Sequence, residues 1–125
     1  RVSLYLVALG CEETAPNPMD HEIVMYTRLA GCPYVRTAKR VFDRENIPYR
    51  EIIIDDDETA AQRVIDWTGF KSVPTIIIAR RGEDLPYEDP APLDGSPKGV
   101  DRGSMITEPG EIQLEEWLRK HGFLK

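Results

Sequence analysis

Three short apolar runs alternate with two stretches of helical periodicity, and this alternation limits the fold more than any other feature. Ile23-Val24-Met25-Tyr26-Thr27, Tyr49–Ile54 and Thr75–Ala79 are rich in β-branched and aromatic residues and read as strands. Between the first two, Val35, Ala38, Val41 and Phe42 fall on one helical face, with Arg36, Lys39, Arg40 and Asp43 elsewhere. Pro33 suits the first turn of that helix, where its missing N–H costs nothing, and Asn46 and Pro48 stop it. A strand–helix–strand unit of this kind predicts a right-handed parallel crossover. Ile52-Ile53-Ile54 at the end of the second strand predicts burial on both faces.

Asp55-Asp56-Asp57-Glu58 then reads as a solvated helix N-terminus favoured by the helix dipole, in preference to a metal site. The helix continues through Ala60, Ala61, Val64, Ile65 and Trp67 to a stop at Gly69. Past the third strand, residues 80–104 hold four prolines and four glycines and cannot form a regular element. So long an irregular segment in a small domain points to a functional loop, and this one is expected to tolerate change. Met105-Ile106-Thr107 predicts a short last strand. Pro109 opens a final helix through Leu114, Trp117, Leu118 and His121, closed by Gly122. His121 reads as a packed side chain or a cation in the last turn. No internal repeat is visible. The expected architecture is α/β: a four-stranded mixed sheet with helices on both faces, its last two strands an antiparallel pair.

Residues 1–18 read as an N-terminal extension and residues 19–125 as the compact domain. Val2–Leu9 is too short an apolar run to cross a membrane and predicts an added strand. The formal charge of −6 and the lack of a basic stripe argue against nucleic acid or an anionic membrane as partner. Two widely spaced cysteines, Cys11 and Cys32, and two histidines, His21 and His121, show neither zinc-site spacing nor a disulfide framework. A reducing, cytoplasmic setting follows, with no metal.

Cys32 carries the chemical interest. It sits where a strand meets a helix N-terminus, and backbone N–H groups and the helix dipole favour a thiolate there. Arg28 and Arg36 add positive potential. The competing reading is a small packed hydrophobe, a frequent fate of free cysteine. A second stretch, Trp67–Ile78, sets Val73-Pro74 directly before a strand. That is a candidate cis peptide beside which an extended thiol-bearing peptide could pair with the Val73 backbone. The alternative is a trans proline opening an edge strand.

With these two stretches on the page, the chain resembles the glutaredoxin family of the thioredoxin fold over residues 22–79, and more weakly over 103–122. Cys32-Pro33-Tyr34-Val35 is similar to the family's Cys-Pro-Tyr-Cys, with Arg36 following. Thr68-Gly69 and Lys71-Ser72-Val73-Pro74 resemble the segment ending in the family's cis-proline, and residues 104–118 resemble a mycoredoxin-like end.

The resemblance implies that Cys32 is the nucleophile. Tyr34 and Val73 would flank a bound small thiol, Pro74 would set the bend and Lys71 would reach a substrate carboxylate. Gly110 and Glu111 would offer N–H groups at the last helix. Three departures accompany it. Val35 stands in place of the resolving cysteine, Arg28 lies one residue further from Cys32 than the usual basic residue, and Pro109-Gly110 replaces a glycine pair.

The implied activity is monothiol disulfide exchange. Its co-substrate is glutathione or another small thiol such as mycothiol, its substrates are protein mixed disulfides, and no cofactor is tightly bound. The enzyme would be a monomer or weak dimer. Two other classes stay open: a carrier holding a two-iron cluster with glutathione between two subunits, and a non-catalytic interaction module using loop 80–104. An arsenate-reductase-like activity shares the fold but has no stronger support.

Overall fold

The computed structural model describes residues 20–125. The strand expected at Val2–Leu9, Cys11 and the rest of the extension lie outside the described residues. The elements are β1 (His21–Thr27), α1 (Pro33–Arg44), β2 (Tyr49–Ile53), α2 (Glu58–Thr68), β3 (Thr75–Arg80), β4 (Met105–Thr107) and α3 (Glu111–Lys120), with one 3-10 turn at Ile54–Asp56.

The strands hydrogen-bond in the order β2-β1-β3-β4. β1 pairs parallel with β2 and antiparallel with β3, and β3 pairs antiparallel with β4. This is the mixed four-stranded sheet, with helices on both faces, expected of a thioredoxin-like fold.

Strand alternation explains the two faces. Ile23, Met25, Ile76, Ile78 and Ile106 pack with Ala38, Val41 and Phe42 of α1 and with Leu114, Trp117 and Leu118 of α3. Val24, Tyr26, Ile77, Ala79 and Met105 point the other way and pack with Ala60 and Val64 of α2. β1 and β3 are central strands buried on both faces, which is why both read as continuous apolar runs.

β2 departs from its expectation. It is an edge strand whose side chains are half-buried or exposed, and of Ile52-Ile53-Ile54 only Ile54, in the 3-10 turn after the strand, is buried. A triple-isoleucine run does not carry the information that no strand lies beyond it.

The caps follow local chemistry. Asp57 caps α2 by accepting from the Ala60 N–H at 3.1 Å, and Gly69 ends it in the left-handed region, with φ of 89°. α3 begins at Glu111, with Gly110 as its cap and Pro109 just outside.

The segment between β3 and β4 has no helix or strand, yet it is tied down throughout. Tyr87 N–H donates to Ile78 O, Ala91 N–H to Arg102 O, and Arg102 N–H to Met105 O. Ser104 is 1% exposed, and its hydroxyl donates to Glu88 O at 2.7 Å. Arg102 is 7% exposed, and its guanidinium donates to Ala91 O at 2.7 Å and to Trp67 O at 2.6 Å. Trp67 O is one of the carbonyls that the end of α2 leaves without a partner, so Arg102 fastens the segment to that helix.

Candidate active site

Cys32 is the N-cap of α1, in extended backbone, and its carbonyl accepts the Arg36 N–H at 3.1 Å. Pro33 fills the first helical position, so the chain leaves β1, turns, and presents the thiol ahead of the first helical turn. Cys32 is the only free cysteine among the described residues and is partly exposed.

Its sulfur lies against the other motif. Cys32 Sγ donates to Val73 O at 3.5 Å, and the Val73–Pro74 peptide is cis. Val35, three residues along α1, is 8% exposed and packs with Val73 in the cluster that Cys32 flanks. The position where a resolving thiol would stand therefore holds a packed hydrocarbon side chain.

The strand behind this contact is well anchored. Pro74 O accepts the Glu108 N–H at 2.8 Å, and the Thr75 and Thr107 hydroxyls meet at 3.1 Å. Thus the segment carrying Val73 and Pro74 is joined laterally to the end of β4.

The other site residues divide. Tyr34 lies on the first turn of α1, half-buried, and Lys71 is exposed two residues before Val73. Arg28 turns to the 3-10 segment: its Nε is 3.8 Å from Asp55 Oδ1, while Asp55 Oδ2 accepts the Leu29 N–H at 3.0 Å. Gly110 N–H donates to Gln113 Oε1 at 2.8 Å. The Glu111 carboxylate accepts from Arg44 at 2.8 Å and Arg40 at 3.3 Å, and these arginines lower its pKa. Both groups at the start of α3 are thus engaged within the protein, Glu111 as a tie between α3 and α1.

One neighbour has no local signal in the sequence. Lys98, from the irregular segment, places its Nζ 4.5 Å from the centroid of the Tyr34 ring. Its backbone is bridged to Thr107, and the following Gly99 N–H donates to Thr107 O at 2.7 Å.

Among the described residues no group of three or more His, Cys, Asp or Glu side chains is placed to hold a metal ion. Among the same residues, no helix is long and apolar enough to cross a membrane.

Residues 23–82 match the sequence model of the Glutaredoxin family. Glutaredoxin 1 of Rickettsia prowazekii (strain Madrid E) is 40% identical over 60 residues, covering 46% of this chain and 62% of that protein. Glutaredoxin 1 of Rickettsia conorii (strain ATCC VR-613 / Malish 7) is 38% identical over 60 residues, covering 46% of this chain and 58% of that protein. The chain thus spans less than two thirds of the length of these relatives. The matched stretch contains α1 with Cys32 at its start, the Val73–Pro74 peptide, β2, β3 and most of β1, and over these residues the chain is similar to the glutaredoxin family.

Proposed function

We propose that the protein is a thiol–disulfide oxidoreductase that works with one cysteine, Cys32, on mixed disulfides between proteins and a small thiol. The observation that carries this reading is the pairing of Cys32 Sγ with Val73 O while packed Val35 occupies the next turn.

The chemistry needs no second protein thiol. The Cys32 thiolate attacks the small-thiol sulfur of the mixed disulfide, a new S–S bond forms, and the protein substrate leaves as a thiolate that takes a proton from water. A second small thiol, as thiolate, attacks the small-thiol sulfur of that adduct. It expels Cys32 and departs as the small disulfide, so the two electrons come from two small thiols. Tyr34 and Val73 flank the bound thiol, Pro74 shapes the cleft and Lys71 faces its carboxylate. At the start of α3 the Gly110 N–H is held by Gln113 and the Glu111 side chain by Arg40 and Arg44, so in this reading Glu111 contributes through its backbone N–H. Arg28, held by Asp55, acts at a distance through its charge. A reducing compartment such as the cytoplasm suits this cycle.

The test is intact-mass analysis and turnover on a glutathione mixed-disulfide peptide. Cys32→Ser should lower turnover by at least about a thousandfold with folding retained, because an alkoxide is far too poorly populated to replace a thiolate. Retained turnover would remove Cys32 as the nucleophile. Val35→Cys should close a disulfide to Cys32, seen as a loss of two hydrogens, at the expense of the small-thiol adduct. If that variant carries only the adduct, residue 35 does not face Cys32.

A further inference from the structure

The cations around α1 and the Val73–Pro74 peptide are of two kinds: those held by a carboxylate and those, Arg36, Lys71 and Lys98, that have no such ion pair among the described residues. Arg28 is committed to Asp55, and Arg40 and Arg44 to Glu111. Lys98 has no ion pair with a carboxylate among the described residues. Its side chain is exposed, its ammonium stands over the Tyr34 ring, and Tyr34 and Glu108 raise its pKa. A cation over an aromatic face is held loosely in water and can turn to a stronger acceptor.

Its placement is not left to a floppy loop. Lys98 is bridged to Thr107, Gly99 bonds Thr107 O, and Glu108 N–H bonds Pro74 O, so the backbone is continuous from Lys98 through β4 to the residue beside Val73. Gly99 fits against α3 so closely that an added Cβ would lie 2.7 Å from Gln113 Oε1. Arg102 and Ser104 bury the far side of the same segment. The insertion therefore acts as a bracket whose one unpaired cation overhangs the residue two positions beyond Cys32.

We propose that Lys98 is a specificity-determining residue, selecting disulfides whose small-thiol portion carries a carboxylate. The proposal rests on the reading of Cys32 as the attacking thiol. It adds a recognition group from outside the matched stretch 23–82. The carboxylate meets Lys98 beside the Tyr34 ring while the thiol sulfur lies at Cys32, and a neutral small thiol loses this contact.

The experiment measures formation of the Cys32 adduct from glutathione disulfide and from its fully esterified form, which has the same skeleton without carboxylates. The readout is the ratio of the two second-order rate constants. Lys98→Met should lower that ratio about three- to fivefold, in line with the modest strength of an exposed ion pair. Lys98→Glu should lower it further and Lys98→Arg should preserve it. The wild-type preference should shrink in high salt, which screens exposed charges. A ratio that stays within twofold of wild type in both Lys98→Met and Lys98→Glu overturns the proposal, even if both rates fall together through a loosened bracket. In that case Cys32 chemistry stands. No adduct from either disulfide overturns the attacking-thiol reading and this proposal together.

Discussion

Helix α1 and the insertion between β3 and β4 meet at the Tyr34 ring, and they are held by different physics. α1 carries Tyr34 and is fixed by one apolar stripe, Val35, Ala38, Val41 and Phe42, all buried against the sheet. The insertion carries Lys98 and contributes little to either hydrophobic cluster. It is fixed by Arg102, Ser104 and a series of backbone bonds. Burial of a hydrocarbon stripe is non-directional and leaves a periodic trace in the sequence. Hydrogen bonds to particular carbonyls are directional and leave none. An irregular segment can thus be as definite in position as a helix while looking like a flexible loop.

The largest effect expected from breaking this comparison lies on the apolar side. Ile76, the second residue of β3, is fully buried in the cluster formed with α1 and α3, and Ile76→Ala should cost about 3–4 kcal/mol. The midpoint of urea unfolding reads this directly, and a loss below about 1 kcal/mol would mean that the site relaxes around the cavity.

On the polar side, Arg102→Met keeps much of the bulk but strands Ala91 O and Trp67 O, for a cost of about 2 kcal/mol. Burial lowers the pKa of Arg102, and the guanidinium is held by carbonyl dipoles. Limited proteolysis of the variant should cut first within 81–104. An unfolding midpoint and cleavage pattern like wild type would reduce the insertion to surface decoration.

A smaller effect sharpens the placement of Lys98. Gly99 has φ of 73° and lies against Gln113, so Gly99→Ala should cost about 1 kcal/mol. Thermal unfolding measures it, and an unchanged Tm would show that the contact with α3 gives way freely.

The smallest effect at neutral pH concerns His121, at the end of α3 beside Gly103 of the insertion. It is buried, its ring packs edge-on against Trp117 at 5.3 Å, and Trp117 Nε1 donates to Gly103 O of the insertion at 2.9 Å. Burial and then Lys120 push its pKa down, against the raising influence of Asp101, the Gly103 carbonyl and Glu88. Folding therefore favours the neutral ring. Its contribution is complete above the ordinary histidine value of 6.5 and is lost as pH falls below it toward the lowered folded-state value. Between pH 7.5 and 5.5 the Tm of the wild type should fall more than that of His121→Gln. Parallel curves would mean that His121 is already protonated or free to reach water.

Much of the site was legible because its residues are bound to local rules. Proline at a helix start, cysteine one residue earlier and Val-Pro ahead of a strand are short-range patterns, and the structure brings Cys32 and Val73 into contact. Arg28 was legible as a nearby cation but not as a partner of Asp55, since that pairing depends on how β2 ends beside β1. That Ile52 and Ile53 are only half-buried was hidden for the same reason: edge or centre is a property of the sheet, not of the strand.

The sequence by itself determined the element order, the apolar face of α1, the caps of α2 and the thiol at a helix start. Each depends on a periodicity or on residues within a turn of one another. Only the tertiary structure decided that residues 81–104 form a fastened bracket, that Glu111 ties α3 to α1, and that Lys98 stands over Tyr34. Those contacts join groups tens of residues apart through directional bonds, and no local pattern of side chains records which distant carbonyl, carboxylate or ring will receive them.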